Sequence, residues 1–306
     1  MNRFLANLLI LPLRVLSLLP LKVHYLFADV LAWLMEKVVK YRRRVIDINL
    51  KMVFGDKSDG ERREIAHGYY KYLADVICEI VWGLGRSFEQ IRRSGMFRID
   101  DQSCEVFNNA LLEGRSVVLL LGHCGNWELL TGMAVYMPHS EVSYDQVTCA
   151  YKQLHSPLSQ ELMLLMRRRH MNLEGNLVPS HKFVRYALGH KDENRAYFLI
   201  SDQYTSTPTC TTTFLGLETG WAGGGEMIAR RLHSPVLYIY VDREQRCGYV
   251  IKILQICNDA SAVEPSEAVR TYSALLESDI LARPACWLWS HKRWKNLRGS
   301  DYLHNQ

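Results

Sequence analysis

Three short runs of consecutive apolar, β-prone residues constrain the fold of this chain more than any other feature. They cover residues 116–121 (SVVLLL), 196–200 (AYFLI) and 236–241 (VLYIYV). A strand that faces solvent on one side alternates apolar and polar residues, whereas a strand covered on both faces is apolar throughout. Each run is therefore predicted to be a strand in the interior of a sheet.

Segments with the helical spacing of apolar residues stand between these strands. Helices are predicted over residues 65–84, 104–112, 127–135, 157–170, 181–188, 226–232 and 266–281, and two further strands over residues 142–150 and 249–254. Strands that alternate with helices are typical of an α/β domain. The predicted fold class is α/β, with a largely parallel central sheet flanked by helices.

Composition excludes several classes of protein. The charged fraction of 23% is ordinary for a globular chain, and the eight cysteines are scattered without a CxxC pair. A zinc site or a disulfide framework normally needs closer pairing, so we expect reduced, mostly buried thiols and no metal. The net charge of +5 gathers at residues 37–44, 167–169 and 292–298. These clusters suit anionic headgroups or an acidic protein, and they are too weak to indicate nucleic acid.

Residues 4–34 are rich in apolar side chains but carry charges at Arg14, Lys22 and Asp29. No uncharged run reaches the roughly 18 residues of a simple spanning helix. On one continuous helix the three charges would fall within a sector of roughly 80°, which is the pattern of a helix at a membrane interface. Pro12 and Pro20 are positions where such a helix could break.

The basic residues at 37–44 would then meet phosphates of the cytoplasmic leaflet. We therefore expect a membrane-anchoring helical segment over residues 1–45 and a catalytic α/β domain over residues 46–306. The alternative for the first segment is an ordinary helical hairpin packed on the rest of the domain.

The candidate catalytic residues follow the first apolar run. His123 stands at the exit of that strand on a glycine-flanked turn, and Glu128 follows five residues later. Ligands of open α/β sheets bind beyond the carboxyl ends of the strands. If His123 lies in the turn and Glu128 in the first helical turn after it, the two side chains converge.

Such a pair suits acyl transfer to an alcohol. A neutral imidazole can remove the proton of a hydroxyl group that attacks a carbonyl, and a carboxylate on its other nitrogen fixes the tautomer. The attacking hydroxyl would belong to the acceptor substrate, so the enzyme needs no nucleophile of its own. The alternative is a structural histidine at position 123 and a capping residue at position 128.

The segment LLLGHCGNWELL, residues 119–130, resembles the His-x4-Asp/Glu (HX4E) motif of the lysophospholipid acyltransferase superfamily. Its form is similar to that of the lipid A biosynthesis lauroyl/myristoyl acyltransferases. Three further segments resemble that family in order and spacing. They are residues 41–43 (YRR) with 49–50 (NL), residues 200–203 (ISDQ) and residues 287–295 (WLWSHKRWK).

This resemblance implies that residues 46–306 form an acyltransferase domain in which His123 and Glu128 are the catalytic pair. It also implies an acyl carrier protein as acyl donor and a hydroxyl of a lipid A precursor or related lipid as acceptor. The protein would lie at the bacterial inner membrane, on its cytoplasmic face. No nucleotide-binding pattern occurs, so no cofactor is expected.

Four further residues are candidates for substrate binding. Lys152 could place positive charge near the oxyanion or a headgroup phosphate. Gly224 belongs to a glycine-rich segment before a helix, where backbone N–H groups can bind a phosphate. Asp202 follows a predicted strand and could orient a substrate or hold the loops of the site. Asn126 lies within the histidine motif.

Other functions stay open at the level of sequence. The acceptor could be a lysophospholipid or an aminolipid, or the chain could bind lipid on the same scaffold without catalysis. A hydrolytic metalloenzyme is disfavoured, because one histidine and one glutamate are too few ligands for a metal.

Overall fold

The structure is a computed structural model, and it describes residues 2–112, 114–137, 143–168 and 176–296. Within these ranges the strands are β1 (Phe97–Ile99), β2 (Val117–Leu121), β3 (Val147–Tyr151), β4 (Leu177–Pro179), β5 (Ala196–Ile200), β6 (Cys210–Phe214), β7 (Leu217–Trp221), β8 (Val236–Gln245) and β9 (Gly248–Cys257). Seven of them form one sheet in the order β1-β9-β8-β2-β5-β3-β4, and β6 and β7 form a separate antiparallel hairpin.

All neighbours in the large sheet are parallel except β8 and β9, which form an antiparallel hairpin. The predicted α/β class with a largely parallel sheet is therefore confirmed. β2 lies at the centre between β5 and β8, and all five of its residues are buried. Val118 and Leu120 join the core on one face of the sheet, while Leu119 and Leu121 join the core on the other. This two-sided burial explains why the run is apolar throughout.

Helices cover both faces of the sheet. They are α1 (Asn2–Leu16), α2 (Leu21–Trp33), α3 (Arg43–Val53), α4 (Asp59–Gly83), α5 (Phe88–Arg93), α6 (Asp101–Leu112), α7 (Met133–Tyr136), α8 (Pro157–Arg168), α9 (Ser180–Gly189), α10 (Gly224–Arg231) and α11 (Glu267–Ala282). The longest, α4, begins at a capping box in which Ser58 and Glu61 satisfy each other's backbone N–H groups. Such a cap satisfies donors that the first turn of a helix leaves unpaired.

Most predicted elements are present, with some differences at their ends. The helix predicted over residues 127–135 is instead a turn followed by a 3-10 helix, Leu129–Gly132, and the short α7. The strand predicted from residue 142 begins at Val147, and the helix predicted to residue 170 is described as far as Arg168. Residues 142, 169 and 170 lie outside the described residues.

The apolar amino-terminal segment is two helices joined at a sharp bend of 117°. The break lies at Pro20, which precedes α2, whereas Pro12 lies inside α1. Taken singly, the described helices are too short or too polar to cross a bilayer; the bent pair α1 with Leu21–Val38 has the length and composition to do so together. The prediction of one continuous helix with a single polar stripe was therefore wrong. Asp29 forms an ion pair with Arg246 of the β8–β9 hairpin.

Candidate active site

Two glycines shape the turn that carries His123. Gly125 has a φ of +60°, and a Cβ atom at this position would lie 2.4 Å from Val241. A Cβ atom at Gly122 would lie 2.6 Å from the Leu276 side chain. Only glycine fits the backbone path at either position without a shift of its neighbours. The turn therefore runs close to β8 and α11 and directs His123 beyond the end of β2.

Asp202 is the carboxylate that holds His123. Its Oδ1 lies 2.5 Å from Nδ1 of His123, and its Oδ2 accepts a hydrogen bond of 2.7 Å from the backbone N–H of the same residue. The indole N–H of Trp287 donates a third hydrogen bond of 2.8 Å to Oδ2. Burial by itself would raise the pKa of Asp202, but the charge and hydrogen bonds of His123 and the hydrogen bond from Trp287 lower this pKa to about 2.

The contact with Asp202 fixes the tautomer of the neutral imidazole. An ionised carboxylate only accepts hydrogen bonds, so the proton of a neutral His123 ring sits on Nδ1. Nε2 then carries the lone pair of the ring, and this nitrogen is the atom that a general base uses. The ring also packs edge-on against Trp127, with centroids 5.2 Å apart. His123 is thus held in one orientation from two sides.

The sequence had suggested a contact between Glu128 and His123, but in the structure Glu128 does not hydrogen-bond to His123. It forms a two-pronged ion pair with Arg167 of α8, with Nε–Oε2 at 3.0 Å and Nη2–Oε1 at 2.5 Å. Only 17% of the Glu128 side chain and 22% of the Arg167 side chain are exposed. The planar guanidinium matches both carboxylate oxygens, whereas Asp202 already occupies the ring nitrogen that Glu128 was expected to bind. The catalytic role of Glu128 stays a prediction.

His123 opens onto a large cleft at the carboxyl ends of the parallel strands. The cleft has a volume of about 770 Å³, and Glu128, Arg167 and Gln203 also line it. A smaller pocket of about 50 Å³ adjoins it between β2, β3 and β5. Apolar side chains dominate the smaller pocket, and these are Leu121, Leu130, Cys149, Ala150, Leu177, Phe198 and Ile200. Glu128 and Arg167 line both spaces, so their ion pair stands at the boundary between them.

The other predicted site residues have different positions. Lys152 is exposed on the rim of the cleft, and Gly224 lines the cleft as the first residue of α10. Asn126 does not line the cleft, because its side chain is completely buried. It donates a hydrogen bond of 2.9 Å to Glu79 and accepts one of 3.2 Å from the backbone N–H of Leu129. Both ends of its amide are thus used to shape the turn after His123.

The carboxyl-terminal segment contributes residues that the sequence did not assign to the site. Trp287 binds Asp202, and His291 Nε2 accepts a hydrogen bond of 3.0 Å from the backbone N–H of Tyr204. Burial lowers the pKa of His291 to about 4, so the ring is neutral and able to accept. Both residues lie in the segment 287–295, whose resemblance to a family signature was the signal available in the sequence. Among the described residues, no group of three or more histidine, cysteine or acidic side chains is placed to bind a metal.

Comparison with known protein families gives a match over nearly the whole sequence. The family model for bacterial lipid A biosynthesis acyltransferases matches residues 1–296. The chain belongs to this family. A search of curated proteins found no significant match. The family is one of acyltransferases, so the cleft that contains His123 is the candidate active site of a lipid A biosynthesis acyltransferase.

The ion pair of this acyltransferase predicts strongly coupled effects of mutation. We expect Glu128→Gln and Arg167→Leu each to lower acyl transfer, and the double variant to be little worse than either single one. Side chains in direct contact typically show coupling free energies of roughly 0.5–3 kcal/mol. A double-mutant cycle on the transfer rate measures this coupling. Strictly additive effects would mean that Glu128 acts independently of Arg167.

Proposed function

We propose that this acyltransferase moves a fatty acyl chain from the thioester of an acyl carrier protein to a hydroxyl group of a lipid A precursor. We further propose that His123 is its general base. The observation that carries the proposal is the Asp202–His123 pair, which leaves Nε2 of His123 unprotonated at a cleft beside an apolar pocket. A donor thioester and a lipid hydroxyl would meet at this nitrogen.

The chemistry follows from the orientation of the imidazole. The acceptor hydroxyl donates its proton to Nε2 of His123 as its oxygen attacks the thioester carbonyl carbon. Asp202 stabilises the imidazolium that forms, because its charge lies at the opposite ring nitrogen. The C–S bond then breaks, and the imidazolium returns the proton to the departing sulfur. An ester and a free thiol result, and no covalent enzyme intermediate is needed.

The surroundings of His123 suit the acyl chain of the donor and the phosphate groups of the acceptor. The smaller pocket, of about 50 Å³, has an apolar lining that would contact part of the acyl chain. Arg167 is held by Glu128 at the boundary of pocket and cleft, where its charge would stabilise the oxyanion of the transition state. Lys152 and the amino end of α10 at Gly224 line the same cleft and would attract phosphate groups of the acceptor.

A location at the cytoplasmic face of the inner membrane is part of the proposal. Most of the large apolar side chains that the described structure leaves exposed lie in residues 4–41, among them Phe4 (72% exposed), Leu18 (73%) and Leu26 (66%). Exposed apolar surface of this extent is typical of a membrane or protein contact. Exposed basic residues follow at positions 37, 40 and 42–44. α1 packs against α8, whose Arg167 lines the cleft, so a membrane on this hairpin would lie beside the active site.

The test is transfer by the purified full-length protein in detergent or vesicles. The protein would be incubated with acyl carrier protein loaded with labelled dodecanoyl or tetradecanoyl chains. A lipid A precursor, a lysophospholipid and an aminolipid would be supplied as separate acceptors, with His123→Ala protein as the blank. We expect a product with the mass of an added acyl chain only on the lipid A precursor. Acylation of another lipid would correct the acceptor, and binding without any product would overturn the proposal.

A further inference from the structure

The side-chain amide of Gln203 occupies the nitrogen of His123 that a general base would use. Gln203 Nε2 lies 3.1 Å from His123 Nε2. Because Asp202 keeps the ring proton on Nδ1, a neutral His123 has only a lone pair at Nε2. The amide must therefore donate to this lone pair. Without substrate, the base is already engaged in a hydrogen bond.

The backbone around Gln203 is anchored on both sides. Ser201 N donates to the carbonyl of Leu121 at 3.0 Å, and Asp202 is fixed by His123 and Trp287. On the other side, Tyr204 N donates to His291 at 3.0 Å. The side chain of Gln203 lines the cleft and is only half-buried. Release of His123 therefore requires a rotation of this one side chain, with no movement of the loop.

This arrangement addresses a problem that every thioester-dependent acyltransferase faces. Water could take the place of the acceptor hydroxyl, with its oxygen bonding to the carbonyl carbon and its proton passing to His123. The C–S bond would break, and the sulfur would receive that proton, leaving a free fatty acid and a thiol. The donor would be consumed without acylation of any lipid.

We propose that Gln203 suppresses this hydrolysis by blocking Nε2 of His123 until an acceptor displaces it. The inference rests on the proposed function. A lipid acceptor makes contacts over a large surface, and that binding energy can offset the lost Gln203–His123 hydrogen bond. A single water molecule has no such remote contacts. The penalty for displacing the amide therefore falls mainly on water, which makes Gln203 a residue that determines specificity through His123.

The test compares two rates in the full-length protein. Release of free fatty acid from dodecanoyl acyl carrier protein is measured without acceptor, and acyl transfer is measured with saturating lipid acceptor. We expect Gln203→Ala to raise hydrolysis roughly threefold to tenfold, the range that loss of one net hydrogen bond allows. Transfer at saturating acceptor should change little. Structural damage alone would lower both rates and could not raise hydrolysis.

The chain offers a matched control and a second variant. Gln153 lines the same cleft, and the structure gives it no hydrogen bond to His123, so Gln153→Ala should leave hydrolysis unchanged. Gln203→Met keeps the length of the side chain without a donor and should also raise hydrolysis. The added hydrolysis should disappear when His123→Ala is combined with Gln203→Ala.

The outcomes separate this inference from the proposed function. If the unaltered protein acylates a lipid and both Gln203 variants hydrolyse the donor no faster than it does, the role of Gln203 is overturned and the function stands. If the unaltered protein acylates no lipid, the proposed function fails and the inference fails with it. Faster hydrolysis by the Gln203 variants, together with retained transfer, supports both.

Discussion

Replacing Asp202 with asparagine is expected to lower the rate of acyl transfer nearly as much as removing His123. Removal of the general base should cost on the order of 10²-fold to 10⁴-fold. In Asp202→Asn the amide can present its NH₂ group to the imidazole, so the ring would take its proton on Nε2. The lone pair then faces the wrong way, and a change of this kind in a serine protease costs about 10⁴-fold.

The measurement is steady-state transfer by His123→Ala, Asp202→Asn and a control, each checked for retained folding by its thermal midpoint. Asp192→Asn is a matched control, because Asp192 is an exposed aspartate just after α9. We expect the control to retain full activity. Because the pKa of Asp202 is about 2, its carboxylate is ionised over any practical assay range. Loss of activity between pH 9 and 5 should therefore not reflect protonation of Asp202. Near-normal transfer by Asp202→Asn would show that His123 does not depend on this carboxylate.

The sequence predicted that His123 follows a buried strand, and the structure places it at the end of β2, but the expected contact with Glu128 is replaced by one with Asp202. Glu128 is close to His123 along the chain, and a short spacing was the only geometric information available. Asp202 is 79 residues away. Its proximity depends on β2 and β5 being parallel neighbours in register, with Leu121 paired to Ile200. His123 and Asp202 each lie two residues beyond these paired strand ends, so the sheet order brings them together.

The order of strands in a sheet is set by long-range packing, which local patterns do not encode. The same limit explains other differences. The β6–β7 hairpin is built of short, threonine-rich strands with mixed burial, so it lacks the continuous apolar signal of β2. Pro20 was one of two positions where the sequence allowed a break, but the angle of the bend depends on long-range packing, because α1 packs against α8 and α2 against α4. Local patterns predicted long helices such as α4 and α11, and the interior strands β2, β5 and β8, but failed over residues 127–135, where a turn and two short helical segments form.

Glu79 on α4 is expected to contribute more to stability than other carboxylates of this chain, although it does not line the cleft. Its side chain is completely buried and accepts three hydrogen bonds. The donors are Tyr25 OH at 2.8 Å, Asn126 Nδ2 at 2.9 Å and Tyr249 OH at 2.7 Å. One carboxylate thus links the amino-terminal hairpin, the turn after His123 and the start of β9. Burial raises the pKa of Glu79 despite these donors.

Removing this acceptor leaves buried donors without a partner, which costs far more than the net value of the hydrogen bonds themselves. We expect Glu79→Ala to lower the free energy of unfolding by about 3–5 kcal/mol, because each buried donor left without a partner costs about 1–3 kcal/mol. Chemical denaturation in detergent measures this change in the free energy of unfolding. Glu244→Ala is the matched control: Glu244 pairs with Arg98 on the surface with 45% of its side chain exposed, and such pairs contribute about 0–1 kcal/mol.

The position of Asn126 gives Glu79 a second, separable effect. Asn126 holds Leu129 N with one end of its amide and Glu79 with the other, so without Glu79 the turn that carries His123 loses one of its two fixed points. Transfer should therefore fall in Glu79→Ala even at temperatures where the variant is fully folded. Glu79→Gln, which keeps one acceptor oxygen, should lie between Glu79→Ala and the unaltered protein in both stability and transfer. If Glu79→Ala were no less stable than Glu244→Ala, water would have to replace the carboxylate among these three donors, and the carboxylate would not be what links hairpin, turn and sheet.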